Sequence, residues 1–237
     1  YDFLFGKLLL KVLFYSKYQE MRERFDYNAS LSVEDSYHKC ALMMANANFA
    51  FDYPRPLMPR IITIGGLFYE QPKPLAQNFL KIMDTSGDDG VIIVSFGSLV
   101  KSLSPEKAQI FTRTFSRLPQ RILWRNDGPT PPDIANNTHV FSWLPQHDLL
   151  GHPKTRLFIT HCGVSGSHEA VMNGVPVIAV PLMFDQYWHA GKLVNRLEMG
   201  QWIDIDDFSE KELYRKIKEV LDNQKYTENA QIGRAHV

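Results

Sequence analysis

The chain has 237 residues, with 26 Lys or Arg side chains balanced by 26 Asp or Glu, so its formal net charge is zero. This balance removes the electrostatic argument for a nucleic-acid or membrane-surface partner, and a near-average composition excludes disordered, collagen-like and coiled-coil classes. Two cysteines, Cys40 and Cys162, are too few for a disulfide scaffold or a four-thiolate zinc site. The length predicts one large domain or two small ones.

The first predicted element is an apolar stretch over residues 3–15, which Lys7 and Lys11 interrupt. It is shorter than the roughly 20 residues that span a bilayer, and it has no small-residue cleavage site of the kind that ends a signal peptide. We therefore expect a helix that packs on one face.

Prolines and glycines mark the next part of the chain. The segment Tyr-Pro-Arg-Pro-Leu-Met-Pro at residues 53–59 must be extended, because each Pro disfavours helix in the residue before it. A short β-branched run at residues 61–64 ends at a pair of glycines, and residues 71–74 are typical of a linker. A domain boundary is therefore expected near residues 70–88.

Strands and helices alternate regularly after this boundary. The unbroken apolar run at residues 91–96 is typical of a strand buried on both faces of a parallel sheet. Ser104 before Pro105 predicts a helix start, and Ser209 with Glu212 forms a capping box. Further strands are expected at 122–124, 157–160 and 175–180, and further helices at 167–172 and 209–221. The alternation predicts an α/β class with a doubly wound parallel sheet.

Ligands of such sheets bind at the carboxyl ends of the strands, so the loops after Phe96, Ile159 and Val180 are the candidate site. After Ile159, the chain turns through His161 and Gly163 and is expected to enter a helix at residues 166–167. A helix N-terminus offers unpaired N–H groups and a positive dipole end, which suit a phosphate.

Two acidic positions fit the remainder of a nucleotide sugar. Glu169 is predicted about one turn into that helix, where a carboxylate can accept hydrogen bonds from the vicinal hydroxyls of a ribose. Asp185 and Gln186, expected at the end of another strand, offer groups suited to sugar hydroxyls. Together these residues indicate a nucleotide-sugar site.

Other site chemistries fit the sequence less well. The glycines do not form G-x-G-x-x-G, and no G-x-x-x-x-G-K-[ST] occurs, which disfavours an NAD-linked oxidoreductase and a P-loop enzyme. Five histidines occur between residues 147 and 189, but no H-x-x-x-H or C-x-x-C pair accompanies them, so no metal is expected. Taken alone, His161 is more often structural and Glu169 more often a solvated helix residue; their shared spacing favours the functional interpretation.

Residues 143–190 resemble the signature of the UDP-glycosyltransferases. The matching pattern is W-x-P-Q-x-x-L-L-x-H-P, then F-x-T-H-x-G, E-A, G-V-P and D-Q, and it continues upstream in Val-Ser-Phe-Gly-Ser at residues 94–98. The style is that of the animal, membrane-bound branch. The resemblance implies a GT-B-type fold, with a Rossmann-like C-terminal nucleotide-sugar domain and a second, N-terminal α/β domain.

The resemblance also implies roles for individual residues. In the nucleoside subsite, Trp143 stacks on uracil, Gln146 contacts the nucleoside, Glu169 holds the ribose hydroxyls and Arg125 meets the nucleotide. The diphosphate and sugar subsites contain the remaining residues, which are Ser98, Thr160, His161, Gly163, Ser165, Gly166, Asp185, Gln186 and His189. Of these, His161 and the backbone of Ser165 and Gly166 bind the diphosphate, while Asp185 and Gln186 hold the sugar.

Three positions depart from the family pattern. Cys162 and Gly166 stand where Gly and Ser, respectively, are frequent. His189 stands where Asn is usual, so we expect His189→Asn to alter donor preference or affinity.

The activity that the resemblance implies is transfer of glucuronic acid or glucose from a UDP-sugar to a small lipophilic acceptor, by inverting displacement and without a cofactor or metal. The family's catalytic His–Asp pair belongs to a region before the one that matches residue 1, and His38 lacks the context to replace it. We therefore expect this chain to bind the donor without turnover. The alternative is a catalytically silent UDP-sugar-binding module, either truncated or regulatory.

The resemblance further implies the lumenal face of the endoplasmic reticulum membrane, an anchoring C-terminal helix absent from this chain, and a possible oligomer. Asn28 and Asn136 begin glycosylation triplets.

Residues 232–237 correspond to one reading frame of a common sequencing adapter and are expected to be a translated artefact. The predicted organisation is thus the end of an acceptor domain over 1–75, a UDP-sugar domain over 76–231 and this hexapeptide.

Overall fold

The computed structural model describes residues 8, 11–25, 27, 31–49, 51–67 and 70–235. The chain forms two compact units, Tyr1–Ala45 with Pro56–Thr63, and Asn46–Arg55 with Ile64–Val237. Most of the N-terminal apolar stretch before residue 11, the Asn28 triplet and the last two residues lie outside the described residues. The assignment of residues 1–75 to an acceptor-binding domain stays a prediction.

The smaller unit contains short helices and one pair of strands. A π-helical segment, Lys11–Tyr15, continues into helix α1 (Ser16–Arg24), and helix α2 (Val33–His38) follows. Strand β1 (Met43–Ala45) pairs in parallel with β2 (Ile61–Thr63). The described part of the apolar stretch is thus helical, but its side chains from residue 12 to 14 are exposed, so the expectation that it packs on one face is wrong for these residues.

The larger unit contains a sheet of six strands, and every neighbouring pair is parallel. The strands are β3 (Val91–Ser95), β4 (Arg121–Arg125), β5 (Thr138–Phe141), β6 (Thr155–Thr160), β7 (Val177–Ala179) and β8 (Gly200–Trp202). Their spatial order is β5-β4-β3-β6-β7-β8, which is the 3-2-1-4-5-6 order of dinucleotide-binding folds. The predicted doubly wound sheet is confirmed, and its strand order reverses between β3 and β6.

Helices connect these strands and extend beyond them. They are α3 (Gln77–Asp84), α4 (Pro105–Phe115), α5 (Gln146–Leu150), α6 (Val164–Asn173), α7 (Gln186–Gly191), α8 (Glu210–Asp222) and α9 (Gln224–Ala235); a π-helical segment, Lys192–Arg196, follows α7. The predicted N-caps are confirmed, since the hydroxyls of Ser104 and Ser209 accept from backbone N–H groups of α4 and α8. The last helix includes residues 232–235. The interpretation of residues 232–237 as a translated sequencing adapter stays a prediction.

Alternating side chains of the central strand enter two separate cores. Val91 and Ile93 pack in one apolar cluster, while Ile92 and Val94 pack in the other, and all four are fully buried. This alternation follows from the two-residue period of a strand, and it explains why the sequence of β3 is apolar at every position. The two cores therefore cover opposite faces of the sheet. Within the part of the chain that the structure describes, no helix combines the length and apolar character needed to cross a bilayer.

Candidate nucleotide-sugar site

The switch point between β3 and β6 brings together the turns that follow these two strands. Ser95 and Thr160 are register partners at the ends of the strands, and Gly97 and His161 follow them. The imidazole of His161 lies so close to Gly97 and Gly163 that a Cβ atom at either position would collide with its Nε2. Only glycine at these two positions leaves room for the ring, so the turn is built around His161.

His161 is held in its neutral form by its surroundings. Burial is the largest cause and lowers the pKa of its imidazole, while the Ser95 backbone and the Asp185 carboxylate oppose this effect and Arg125 adds to it. A neutral imidazole has a single N–H, so it can donate one hydrogen bond and carries no full positive charge.

Thr160 and Cys162 shape the backbone of the turn. The Thr160 hydroxyl accepts a hydrogen bond from the backbone N–H of Cys162 at 3.1 Å, and both side chains are fully buried. Cys162 has φ of 63°, a left-handed conformation that L-residues adopt at a cost and glycine adopts freely. This conformation gives the physical reason why glycine suits position 162. Thr160 supports the turn from inside the protein.

Helix α6 begins earlier than the sequence predicted. Its first residue is Val164, with Gly163 as the N-cap, whereas the pattern predicted entry at residues 166–167. Ser165 and Gly166 are therefore the second and third helical residues, whose N–H groups have no acceptor within the helix. The backbone N–H groups of both residues therefore lie at the helix end, beside the His161 turn.

Gln146 and Glu169 meet at one side of this helix end. The Gln146 amide Nε2 donates to Glu169 Oε2 at 2.5 Å, which leaves the other carboxylate oxygen available to a ligand. Burial raises the pKa of Glu169, and the hydrogen bond from Gln146 partly offsets this effect. Glu169 and Ser165 also line a cavity of about 460 Å³.

Trp143 presents an aromatic surface near the same edge. Its side chain is 68% exposed, which is unusual for tryptophan, and the Arg125 guanidinium lies 5.6 Å from its ring centroid. Arg125 also donates to the backbone carbonyl of Gly97, so it links the ring to the β3 turn. Ser98 is exposed in that turn.

Asp185 and Gln186 lie at the start of helix α7 and not at the end of a strand, because β7 ends at Ala179. The Gln186 amide oxygen accepts from the backbone N–H groups of Leu182 and Met183, at 2.8 and 3.1 Å. This oxygen fixes the loop before α7, so it is the Gln186 amide N–H₂ that stays available for a sugar hydroxyl. His189 Nε2 lies 3.2 Å from Asp185 Oδ2.

Gly97 and Phe51 were not among the predicted site residues. Gly97 could have been found, since a glycine directly after a buried parallel strand at the switch point is a recognisable signal. Phe51, whose ring stacks on His189 at 6.2 Å, gives no local signal because the contact joins distant parts of the chain. Among the described residues, no three His, Cys, Asp or Glu side chains group closely enough to hold a metal ion.

Comparison with known proteins identifies related sequences over nearly the whole chain. The family model "UDP-glucoronosyl and UDP-glucosyl transferase" matches residues 3–236. UDP-glucuronosyltransferase 1A1 of Mus musculus is 39% identical over 199 residues, which cover 84% of this chain and 37% of that protein. UDP-glucuronosyltransferase 1A6 of Homo sapiens is 36% identical over 225 residues, which cover 94% of this chain and 42% of that protein. The chain thus spans about two fifths of the length of these relatives.

Solved structures show the same architecture. A glycotransferase of kitacinnamycin matches with a TM-score of 0.73 at 18% identity, over 99% of this chain and 61% of that one. A UDP-glucosyltransferase from Polygonum tinctorium, capable of glucosylating indoxyl, matches with a TM-score of 0.69 at 27% identity, over 84% of this chain and 49% of that one. These neighbours are GT-B glycosyltransferases, so the predicted GT-B-type fold is confirmed.

Proposed function

The chain belongs to the UDP-glucuronosyl and UDP-glucosyl transferase family, and from this membership and the site geometry we propose that it binds a UDP-sugar at the carboxyl edge of its six-stranded sheet. The proposed activity of the protein is transfer of the hexosyl group, glucuronic acid or glucose, to a small lipophilic acceptor with inversion at the anomeric carbon. The donor needs no cofactor or metal in this proposal.

One observation carries the donor part of the proposal. At the switch point, the imidazole of His161 lies in the turn before α6, Ser165 lies in the first turn of α6, and the hydrogen-bonded carboxylate of Glu169 follows about one helical turn later. These are the groups that the diphosphate and the ribose of one nucleotide require. Trp143 adds an exposed aromatic face that suits the uracil ring.

The same groups account for how UDP leaves. Negative charge develops on the diphosphate as the bond to the sugar breaks. The N-terminus of α6 and the N–H of His161 stabilise this charge, because both are fixed before the reaction begins. Asp185 and the Gln186 amide hold the sugar during the displacement.

The proposed donor site does not include the group that activates the acceptor. In the family that the chain resembles, a His–Asp pair activates the acceptor, and we assign no acceptor base to the described residues. The same resemblance supports a location of the protein at the lumenal face of the endoplasmic reticulum membrane. Asn136 is exposed, and detection of a glycan there by mass spectrometry of the native protein would support this location.

UDP titration by calorimetry tests the donor site. We expect Trp143→Ala and Glu169→Ala each to weaken UDP binding at least tenfold, which is about 1.4 kcal/mol. Glu228→Ala, on the exposed side of α9, serves as the control and leaves the affinity unchanged. Unchanged UDP affinity in both site variants contradicts the proposed site.

Transfer is tested separately, with UDP-glucose and UDP-glucuronic acid as donors, a lipophilic phenol as the acceptor and mass spectrometry of the products. A β-linked product from an α-linked donor supports the full activity. Donor binding without any product, in a protein that carries the His–Asp pair, supports the silent binding module instead.

A further inference from the structure

Helix α7 contains a hydrogen bond between two of its own side chains at the sugar end of the proposed site. His189 Nε2 lies 3.2 Å from Asp185 Oδ2, one helical turn earlier. His189 is only 8% exposed, whereas the Asp185 side chain is 64% exposed. One carboxylate oxygen is thus held from inside the protein, while the carboxylate as a whole faces the solvent.

The orientation of the imidazole is fixed by Phe51. The two rings are nearly parallel, with an interplanar angle of 6° and centroids 6.2 Å apart. Phe51 itself is 1% exposed, the His168 ring meets it at 61°, and Lys192 Nζ lies 4.7 Å from its centroid. Because Phe51 cannot move without disturbing these contacts, the plane of His189 is set independently of any ligand.

The direction of the hydrogen bond follows from the surroundings of the two ring nitrogens. Nδ1 of His189 is buried and has no hydrogen-bond partner among the residues that the structure describes. Nε2 faces the Asp185 carboxylate, which can only accept. The neutral tautomer with its proton on Nε2 is therefore favoured, and it donates to Asp185 Oδ2.

We propose that His189 is a positioning residue: it holds Asp185 Oδ2 so that the other carboxylate oxygen is presented to a hydroxyl of the donor sugar. This inference rests on the proposed function, because it assumes that a UDP-sugar occupies the site. It concerns the sugar part of the donor alone, since no described hydrogen bond or ring contact joins His189 to Gln146, Glu169 or the first turn of α6.

Two amide substitutions distinguish this role from simple packing. The amide nitrogen of Gln lies about as far from the backbone as Nε2 of His, and Gln can donate to Asp185 from the same place. The amide nitrogen of Asn lies nearer the backbone, at about the position of Nδ1, and cannot reach Oδ2 in the same way. His189→Gln is therefore the rescue variant, and His189→Asn removes the contact.

The test compares dissociation constants for UDP, UDP-glucose and UDP-glucuronic acid, measured by calorimetry on the chain and on each variant. The informative quantity is the affinity for the UDP-sugar relative to UDP, for the donor that binds better. We expect His189→Gln to keep this ratio within about twofold and His189→Asn to lower it about tenfold, a loss typical of one charge-assisted hydrogen bond. The UDP affinity of each variant is the reference for its own ratio.

Asp185→Asn provides a second arm that does not depend on the packing of His189. Since this side chain is largely exposed, the variant should fold normally and should lower the same ratio about tenfold. Adding His189→Asn to it should produce no further loss, because both changes remove one interaction.

The outcomes separate the two proposals. A chain that binds no UDP overturns the proposed function, and with it this inference. Normal UDP binding overturns the inference alone if His189→Asn keeps the parent ratio, if His189→Gln loses as much as His189→Asn, or if the losses of His189→Asn and Asp185→Asn add in the double variant.

Discussion

The amide of Gln146 donates to the carboxylate of Glu169 at 2.5 Å, across the gap between helices α5 and α6. This contact satisfies one oxygen of a half-buried carboxylate and sets its orientation before a ligand arrives. Glu169 and Ser165 line the same cavity. The Glu169 carboxylate is therefore oriented, before a ligand binds, to accept hydrogen bonds from hydroxyl groups.

UDP affinity should respond to pH through Glu169. Burial raises the pKa of this carboxyl above its ordinary value of 4.5, and only the ionised form accepts from two hydroxyls. We expect the chain to bind UDP about tenfold more tightly than Glu169→Gln at neutral pH, a typical value for hydrogen bonds to a charged group. This advantage should vanish as the pH falls through the raised pKa. Calorimetry at a series of pH values measures it.

Stability should change in the opposite direction over the same range. Because the pKa is raised by folding, the contribution of Glu169 to stability is fully present below pH 4.5 and is lost as the pH rises through its folded value. The difference in free energy of unfolding between the chain and Glu169→Gln, from urea titrations, should therefore fall where the affinity advantage rises. Parallel changes contradict this account of the site.

Gly97 should be irreplaceable because of His161. Alanine there places a Cβ atom against the imidazole, so we expect Gly97→Ala to weaken UDP binding at least tenfold. Gly87→Ala is the matched control, since Gly87 also has a positive φ of 67° but has no atoms within 4 Å of the added Cβ. It should lose about 1 kcal/mol of stability and keep its UDP affinity. Equal affinity losses in both variants would show that backbone strain alone is responsible.

Cys162 should be replaced better by glycine than by alanine. Both substitutions remove the buried sulfur, but only glycine relieves the left-handed backbone at φ of 63°. We expect Cys162→Gly to be more stable than Cys162→Ala by about 1 kcal/mol in urea unfolding. An alanine variant that equals or exceeds the glycine variant contradicts the assignment of strain to this turn.

The buried ion pair between Asp52 and Lys192 should stabilise the larger unit. Lys192 Nζ and Asp52 Oδ1 lie 2.5 Å apart, and Lys192 is only 5% exposed. Removing one partner leaves an uncompensated buried charge, so we expect Lys192→Met to cost about 3 kcal/mol of unfolding free energy. Lys218→Met, which breaks a more exposed pair within α8, is the control and should change stability little. Similar losses in the two variants would contradict the role of burial.

The contribution of Asp52 should also depend on pH. Burial raises its pKa, but the hydrogen bonds from Lys192 and from the backbone of Asn48 outweigh this effect and lower the pKa below 3.8. The stability that Asp52 contributes is therefore present above pH 3.8 and is lost as the pH falls through the lowered value.

The sequence predicted the parts of the fold that depend on local pattern. Strand β3 was predicted because burial on both faces makes every residue apolar, and α4 because Ser104 caps its N-terminus. Strand β8 was not predicted, since Gly200–Trp202 is short and has no apolar run. The start of α6 was predicted late because Gly163 serves as the N-cap without a side-chain hydrogen bond.

The site could be predicted as a set of residues but not as a set of contacts. Glu169, His161 and Asp185 were identified from type and spacing. That the Gln186 amide oxygen is engaged by backbone N–H groups depends on the path of a loop, which no periodicity encodes. The stacking of Phe51 on His189 depends on tertiary packing of a segment far away in the chain.

The most direct test of the central claim measures calorimetric dissociation constants for UDP and 2′-deoxy-UDP on the chain and on Glu169→Gln. If Glu169 holds the ribose hydroxyls, the chain should prefer UDP about tenfold, and the variant should lose most of this preference. A chain that binds both nucleotides equally, or a variant that keeps the full preference, contradicts the claim that this edge of the sheet is a UDP site organised by Glu169.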